Sequence, residues 1–378
     1  MGIISFRNSL NGIIYTKFLK PIFFLFDPEF VHNSFVKKGA ILGSNPLTRK
    51  ITSLLFNYRN PILNQNIEGI NFQSPVGLSA GFDYEAKLTQ ILPSLAFGFQ
   101  TIGTITNMPY EGNPSPRLGR LPKSRSLMVN KGFKNPGADS IIKSLGSKKF
   151  NIPVGISIGR TNSPKLKTQK ESVRDIIKSF KKFENSMLPF SYYELNISCP
   201  NIIHASNIEF YSSKNLSALL KEIENLRIAK PIFIKMPINE TNKETLRMLK
   251  VISKFSIKGV IFGNLNKNRN DSSLNQSEVR KFKVGNFSGK PTEKRSNELI
   301  SLAYKNYKNR FIIIGTGGIF SAEDAYKKIK LGASLVQLIT GMIYQGPGLI
   351  SEINLGLTRL LQKDGYKNIL QAIGKDIN

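Results

Sequence analysis

Eight short apolar runs recur between residues 75 and 340, and they constrain the fold more than any other feature of this 378-residue chain. They span 75–80, 99–106, 153–159, 192–198, 231–236, 258–263, 311–317 and 334–340. Each is rich in β-branched residues and continuous rather than alternating, as a strand buried on both faces must be. Helical periodicity separates several of them, most clearly at 172–183, 215–226, 243–255, 292–304 and 322–331. Eight strand-then-helix units predict an α/β chain closed as a (β/α)8 TIM barrel. A doubly wound open sheet is the rival architecture. No Gly-rich dinucleotide fingerprint follows the first run, which argues against it. Segment 107–151 is long for one connection and is expected to carry extra structure. Segment 263–291 is polar and reads as a long loop of the kind that covers a barrel mouth.

Chemistry in such a barrel belongs at the C-terminal ends of the strands. Gly315-Thr316-Gly317-Gly318 ends the seventh run and Thr340-Gly341 the eighth. Glycine lets backbone N–H groups approach phosphate oxygens, and a following helix N-terminus adds its dipole. An ordinary tight turn is the alternative for either segment alone. The fourth run ends in Asn196-Ile197-Ser198-Cys199-Pro200-Asn201. Cys199 is the sole cysteine, and a lone cysteine serves either as a small buried hydrophobe or as a reactive thiol. The flanking amides offer donors and acceptors for a ring, and a thiol whose pKa the site lowers is a usable general base. Lys235 closes the fifth run, pointing into the barrel mouth, where a lysine requires an anion. A phosphate site beside that lysine suggests flavin mononucleotide (FMN), whose reduced anion the lysine would stabilise.

One cysteine and two histidines exclude an internal disulfide, a four-cysteine zinc site and a His-rich metal centre. The net charge of +29 implies either attraction to an anionic surface or a compositional bias toward lysine. Charge does not separate a membrane from a nucleic acid. No apolar run is long enough to span a bilayer. The N-terminus is nevertheless aromatic and basic, with Phe18, Phe23, Phe24 and Phe26 beside Lys17 and Lys20. Asp27-Pro28 fits a helix start, with Asp as N-cap and Pro at N1. A helical pair here either packs on the barrel or lies in a membrane interface. Residues 1–66 therefore read as a helical extension and 67–378 as the barrel.

These landmarks, taken in order, resemble the dihydroorotate dehydrogenase family. The resemblance rests on Pro75–Asp83, Gly98-Phe99, Ile102-Gly103-Thr104 and Glu111–Pro114 with Pro116-Arg117. It continues through Arg120-Leu121-Pro122, Asn196–Asn201, Ser288–Pro291, Ile313–Ile319 and Gly332–Leu338. The segment Leu19–His32 is similar to the N-terminal helices of the quinone-dependent class, which form a membrane-facing quinone entrance. The resemblance implies oxidation of dihydroorotate to orotate in pyrimidine synthesis, with FMN as cofactor and quinone as acceptor. It implies peripheral association with an anionic membrane, at the cytoplasmic face of an inner membrane or at the mitochondrial inner membrane, and no nucleic-acid partner. Position by position, it makes Cys199 the base and Asn130, Asn196, Asn201 and Asn264 the substrate ligands. Ala80, Gly81, Thr104, Ser157, Asn196, Lys235, Gly289, Gly317, Gly318, Ile339 and Thr340 would line the flavin.

Several positions depart from the pattern. The quinone class usually carries serine where this chain has Cys199, and the more acidic thiol predicts a lower pH optimum. Tyr84 stands where the family has a lysine that contacts substrate and flavin. Ser157 replaces an asparagine, Gly263 a threonine, and Leu265 a polar residue. In the substrate loop Val129-Asn130-Lys131-Gly132-Phe133, ungapped alignment puts Val129 at the family's asparagine, and a one-residue shift restores Asn130. The competing functions are the same oxidation with fumarate or NAD as acceptor, a tRNA-dihydrouridine-synthase-like barrel, and a basic membrane-binding barrel without chemistry.

Overall fold

The computed structural model describes residues 2–146, 148–204, 208–308 and 310–377. All eight apolar runs are strands: β1 (Val76–Leu78), β2 (Phe99–Ile105), β3 (Val154–Ile158), β4 (Tyr192–Asn196), β5 (Ile232–Met236), β6 (Gly259–Phe262), β7 (Ile312–Thr316) and β8 (Leu335–Leu338). They close into one parallel barrel in chain order. Val76 and Leu78 of β1 meet Val336 and Leu338 of β8 at the seam. The expected helices form at Gln169–Asn185, Ser213–Glu224, Asn242–Ile252, Glu293–Tyr307 and Ala322–Lys330. Thr168 with Glu171 and Thr241 with Glu244 start two of them as capping boxes.

The barrel interior changes character along its axis. At the N-terminal end of the strands, Phe99, Tyr192, Phe233, Ile261, Ile314 and Leu335 pack with Ile67 and Phe72. The last two belong to an antiparallel hairpin, Gln65–Ile67 with Ile70–Phe72, that plugs this end. Glycines on neighbouring strands make room for the rings. A Cβ on Gly77 would collide with the Phe99 ring, and one on Gly155 with Tyr192. Midway up, polar groups take over. The Thr101 hydroxyl pairs with the Tyr192 hydroxyl at 2.8 Å and accepts from Gln337 Nε2 at 2.8 Å. Higher still lie Ser157, Glu194 and Lys235, then Thr104 and Asn196.

The two long connections meet over the mouth. Segment 107–151 contributes the hairpin Leu118–Leu121 and Ser126–Val129, and segment 263–291 adds Asn286–Gly289 as a third antiparallel strand. Segment 263–291, expected as a loop, thus holds a strand and the short helix Gln276–Val279. The strand alternates Asn286 and Ser288 with buried Phe287, a period too short to stand out among polar neighbours.

Four helical segments precede the barrel. α1 (Gly2–Ile13) runs through a π-helical turn (Ile14–Leu19) into α2 (Lys20–Phe24), and α3 (Pro28–Ser44) and α4 (Pro46–Phe56) follow. Asp27 caps α3, accepting from the Phe30 N–H at 2.8 Å, with Pro28 at N1 as the sequence implied. Polar ties dock this layer. Arg7 donates to Ser351 Oγ at 2.8 Å, and the Tyr15 hydroxyl donates to the Ile343 carbonyl at 2.7 Å. The Glu29 carboxylate accepts from Arg117 Nε at 2.8 Å and Lys134 Nζ at 3.2 Å.

Burial alone would raise the pKa of Glu29, but the hydrogen bonds from Arg117 and Lys134 outweigh it and hold the carboxyl below its ordinary value. A depressed pKa stabilises the fold above the ordinary carboxylate range and loses that contribution as pH falls through it. Glu29→Gln should therefore lower stability by about 1–3 kcal/mol at pH 7. The difference from the parent melting temperature should shrink as pH drops toward 4. A difference independent of pH would show that the charge does not hold α3.

Candidate functional site

The site begins at the top of the polar interior. The chain leaves β1 through Ser79-Ala80-Gly81-Phe82-Asp83, and Asp83 fixes this loop. Its carboxylate accepts from the Lys87 N–H (2.8 Å), the Leu88 N–H (2.9 Å) and Gln100 Nε2 (2.6 Å). Gly81 N–H donates to the Gly103 carbonyl at 2.7 Å, and Gly103 N–H to the Asp83 carbonyl at 3.1 Å. Pairing between β2 and β3 is irregular from Ile102 to Ile105, which brings Gly103 and Thr104 to the cavity.

Around the mouth the amides form a chain. Asn196 Nδ2 donates to Thr104 Oγ1 at 2.9 Å, and Asn196 Oδ1 accepts from Ser198 Oγ at 3.1 Å. Asn264 Nδ2 donates to Ser198 Oγ at 2.6 Å. Asn201 Nδ2 donates to the Val129 carbonyl at 2.9 Å, and its Oδ1 accepts from Asn286 Nδ2 at 2.6 Å. Asn201 thus ties the hairpin to the third strand of the cover. Below them Lys235 donates to Ser79 Oγ at 3.1 Å and lies 3.6 Å from Glu194, whose Oε1 accepts from Ser157 at 2.8 Å. Glu194 escaped sequence reasoning. The available signal was a charged residue inside a continuous apolar run, two positions before Asn196 and so on the same face.

One cavity of about 790 Å³ joins these groups to the N-terminal helices. Ala80, Gly81, Thr104, Asn196, Cys199, Asn201, Lys235, Asn264, Ile339 and Thr340 line its inner part, and Phe23, Phe24, Val31, Phe35, Leu42 and Leu55 its outer part. A smaller recess of about 90 Å³ opens beside it, bounded by Gly289, Gly317, Gly318 and Thr340. Gly317 and Gly318 have φ of +92° and +72°, and a Cβ on them would strike Thr292 and Glu293. Helix Thr340–Gln345 starts there with no side-chain cap. Two expected site residues stand off the cavity wall. Ser157 lies beneath Thr104, bonded to its hydroxyl at 2.9 Å. Asn130 faces away, its Oδ1 accepting from Asn113 Nδ2 at 2.9 Å. Side chains alternate along the extended chain, so Val129 and Lys131 face the cavity and Asn130 faces its back. Asn130, expected at the substrate, thus lies behind the cavity wall rather than on it. Gly263 also gains a reason: its φ is +138°, and a Cβ would collide with the Thr316 carbonyl.

The Cys199 thiol differs from expectation. Burial pushes it up to about 11, and the Asn201 N–H, Lys235 and Lys267 offset this only in part. The thiol is therefore protonated at neutral pH. His32 stacks on Tyr84 with centroids 5.6 Å apart and meets Phe82 edge-on at 4.8 Å. Burial, with Lys131 and Lys134 nearby, lowers its pKa to about 2, so it is neutral.

A parallel barrel with glycine turns after β7 and β8 thus sets a small recess beside a thiol and amides at one cavity. The sequence profile of dihydroorotate dehydrogenase matches residues 62–361. Dihydroorotate dehydrogenase (quinone) of Trichodesmium erythraeum is 33% identical, covering 96% of this chain and 98% of that relative. Its counterpart from Christiangramia forsetii is 35% identical, with 90% and 98% covered. The crystal structure of ligand-free dihydroorotate dehydrogenase from Eimeria tenella superposes with a TM-score of 0.80 at 27% identity, covering 93% of this chain and 99% of that one. The chain belongs to the dihydroorotate dehydrogenase family, in its quinone-linked class.

Because Cys199 is the sole cysteine, alkylation reports on it directly. Iodoacetamide reactivity should rise about tenfold per pH unit from 7 to 9, since only the thiolate reacts. A rise of only about threefold between pH 8 and 9 would show a thiol of ordinary acidity, with a pKa of about 8.5.

Proposed function

We propose that this protein oxidises dihydroorotate to orotate in pyrimidine synthesis with Cys199 as the base, FMN as the resident cofactor and a membrane quinone as the acceptor. The observation that carries this reading is the single cavity running from Cys199 and its amides to an apolar mouth between the N-terminal helices. The residues present fit FMN. Gly317 and Gly318 adopt backbone conformations suited to glycine and border the small recess, a setting in which backbone N–H groups cradle a phosphate. Ser79, Thr104, Asn196 and Lys235 supply the donors that a flavin ring system requires. When bound, the flavin supplies a reversible two-electron acceptor.

The rest of the chemistry falls to the chain. Asn196, Asn201 and Asn264 orient the pyrimidine ring by amide hydrogen bonds. Cys199 Sγ takes the proton from C5 of dihydroorotate. A thiolate in this setting is scarce at pH 7, but each one formed is a strong base. Lys235 holds a positive charge at the barrel centre, balanced by Glu194, and favours anionic forms of what lies above it. The sheet of Leu118–Leu121, Ser126–Val129 and Asn286–Gly289 keeps bulk water from the site.

The N-terminal helices suit a membrane interface. Eighteen of the twenty-two large hydrophobic side chains that are exposed among the described residues lie before residue 57, including Phe6, Phe18, Leu25 and Leu54. So large an apolar surface marks a contact with lipid or another apolar phase. Lysines 17, 20, 37, 38 and 50 lie among them and match anionic headgroups. No described helix is long and apolar enough to cross a membrane, so contact of this kind is peripheral.

Anaerobic mixing with dihydroorotate should bleach the flavin, and quinone should restore its colour faster than fumarate or NAD. Cys199→Ala should retain flavin and lose about 10²–10⁴-fold in the bleaching rate. Full activity in that variant would remove Cys199 from the mechanism. Charging the apolar face with Phe18→Glu and Leu25→Glu should abolish flotation with anionic vesicles and leave dihydroorotate-driven bleaching intact. Undiminished flotation would place the membrane contact elsewhere.

A further inference from the structure

Lys131 lines the cavity, and the proposed chemistry does not use it. Lys131 is buried, its exposure only 8%, and among the described residues its Nζ has no hydrogen-bond partner. It sits 4.4 Å from the centroid of the Tyr84 ring, whose other neighbour in the stack is His32. Three other cations that line the cavity are engaged. Lys235 is bonded to Ser79, Lys134 to Glu29, and Arg120 to the Phe26 carbonyl at 2.7 Å. A buried ammonium without an acceptor is costly, and the Tyr84 ring face offsets only part of that cost.

The groups around Lys131 leave its charge uncompensated. Glu29 and Glu85 favour the ammonium, while Lys134 and Arg117 oppose it, and Glu29 is already bound to both Arg117 and Lys134. His32 is neutral. Burial dominates and brings Lys131 down to about 7. Such a group is poised to accept an anion and to gain a proton as it does so.

Loop geometry shows that Lys131 is held in this place. Asn201 fixes the Val129 carbonyl, and Asn162 Nδ2 donates to the Gly132 carbonyl at 3.2 Å. Gly132 has φ of +64°, and a Cβ there would collide with the Asn113 side chain. Both flanks of Lys131 are therefore anchored, and its side chain is aimed at the cavity that contains Cys199.

We propose that Lys131 receives the carboxylate of dihydroorotate and orotate, supplying from the substrate loop the cation that position 84 lacks in this chain. The inference rests on the dihydroorotate reading above and names the residue that recognises the substrate's carboxylate. Tyr84 then acts as a platform, positioning the Lys131 side chain against its ring face until the carboxylate arrives.

The test uses the flavin-loaded full chain and titrates orotate calorimetrically at pH 8 in buffers of different ionisation enthalpy. The parent should take up as much as about one proton on binding, because the carboxylate returns Lys131 to its charged form. Lys131→Met should weaken orotate binding by at least about tenfold, as for a lost charge-assisted hydrogen bond, and should abolish the proton uptake. Lys131→Arg should keep orotate within a few-fold of the parent, again without uptake, since arginine stays charged. Unchanged affinity in Lys131→Met would overturn the proposal. So would weakened affinity with the uptake intact, which is the mark of a merely structural role. If the parent is bleached by dihydroorotate while Lys131→Met binds orotate normally, only this inference fails. A parent that neither bleaches nor binds orotate would overturn the functional reading and this inference with it.

Discussion

Everything at the mouth of this barrel depends on how its interior is filled. Eight parallel strands enclose a space that side chains must occupy. Here the lower end is filled by large rings set against glycines on the adjacent strands, Phe99 against Gly77 and Tyr192 against Gly155, and stoppered by the hairpin that bears Ile67 and Phe72. That dense plug supplies apolar burial near the base, so the upper strands can carry groups that are costly to bury. Glu194 and Lys235 compensate each other at 3.6 Å inside the barrel. The amides of Asn196, Asn201 and Asn264 form the rim above them.

A second division runs across the mouth. Two connections far apart in sequence combine into one three-stranded sheet, and Asn201 joins them by donating to one and accepting from the other. The N-terminal helices add a separate wall, pinned by Glu29, Tyr15 and Arg7. Between cover and wall runs the apolar half of the cavity. Polar chemistry and apolar access are thus assembled from different stretches of chain and share one continuous space.

Much of this was legible in the sequence. The strands were, because a two-sided buried strand writes a continuous apolar run, and all eight lie where those runs do. The start of α3 was, because Asp27 and Pro28 are chemically suited to N-cap and N1. The same logic applied to Asn45-Pro46 would have revealed α4, whose Asn45 side chain accepts from the Leu47 N–H. The site was legible at Cys199, Asn196, Asn201, Lys235 and the glycine turns, where residue type itself restricts the chemistry. It was illegible where three-dimensional alternation decides, as at Asn130 and Lys131, of which the lysine and not the asparagine lines the cavity. It was illegible again where burial sets a property: the acidity of Cys199 depends on its desolvation and on Lys235 and Lys267, which are distant from it in sequence.

The high pKa of Cys199 bears on how long such an enzyme survives. Peroxide and other oxidants attack the thiolate, and a thiol kept protonated is a poor target for them. By keeping the sulfur protonated, the pocket makes the one cysteine in the chain a slow target for sulfenic and sulfinic damage.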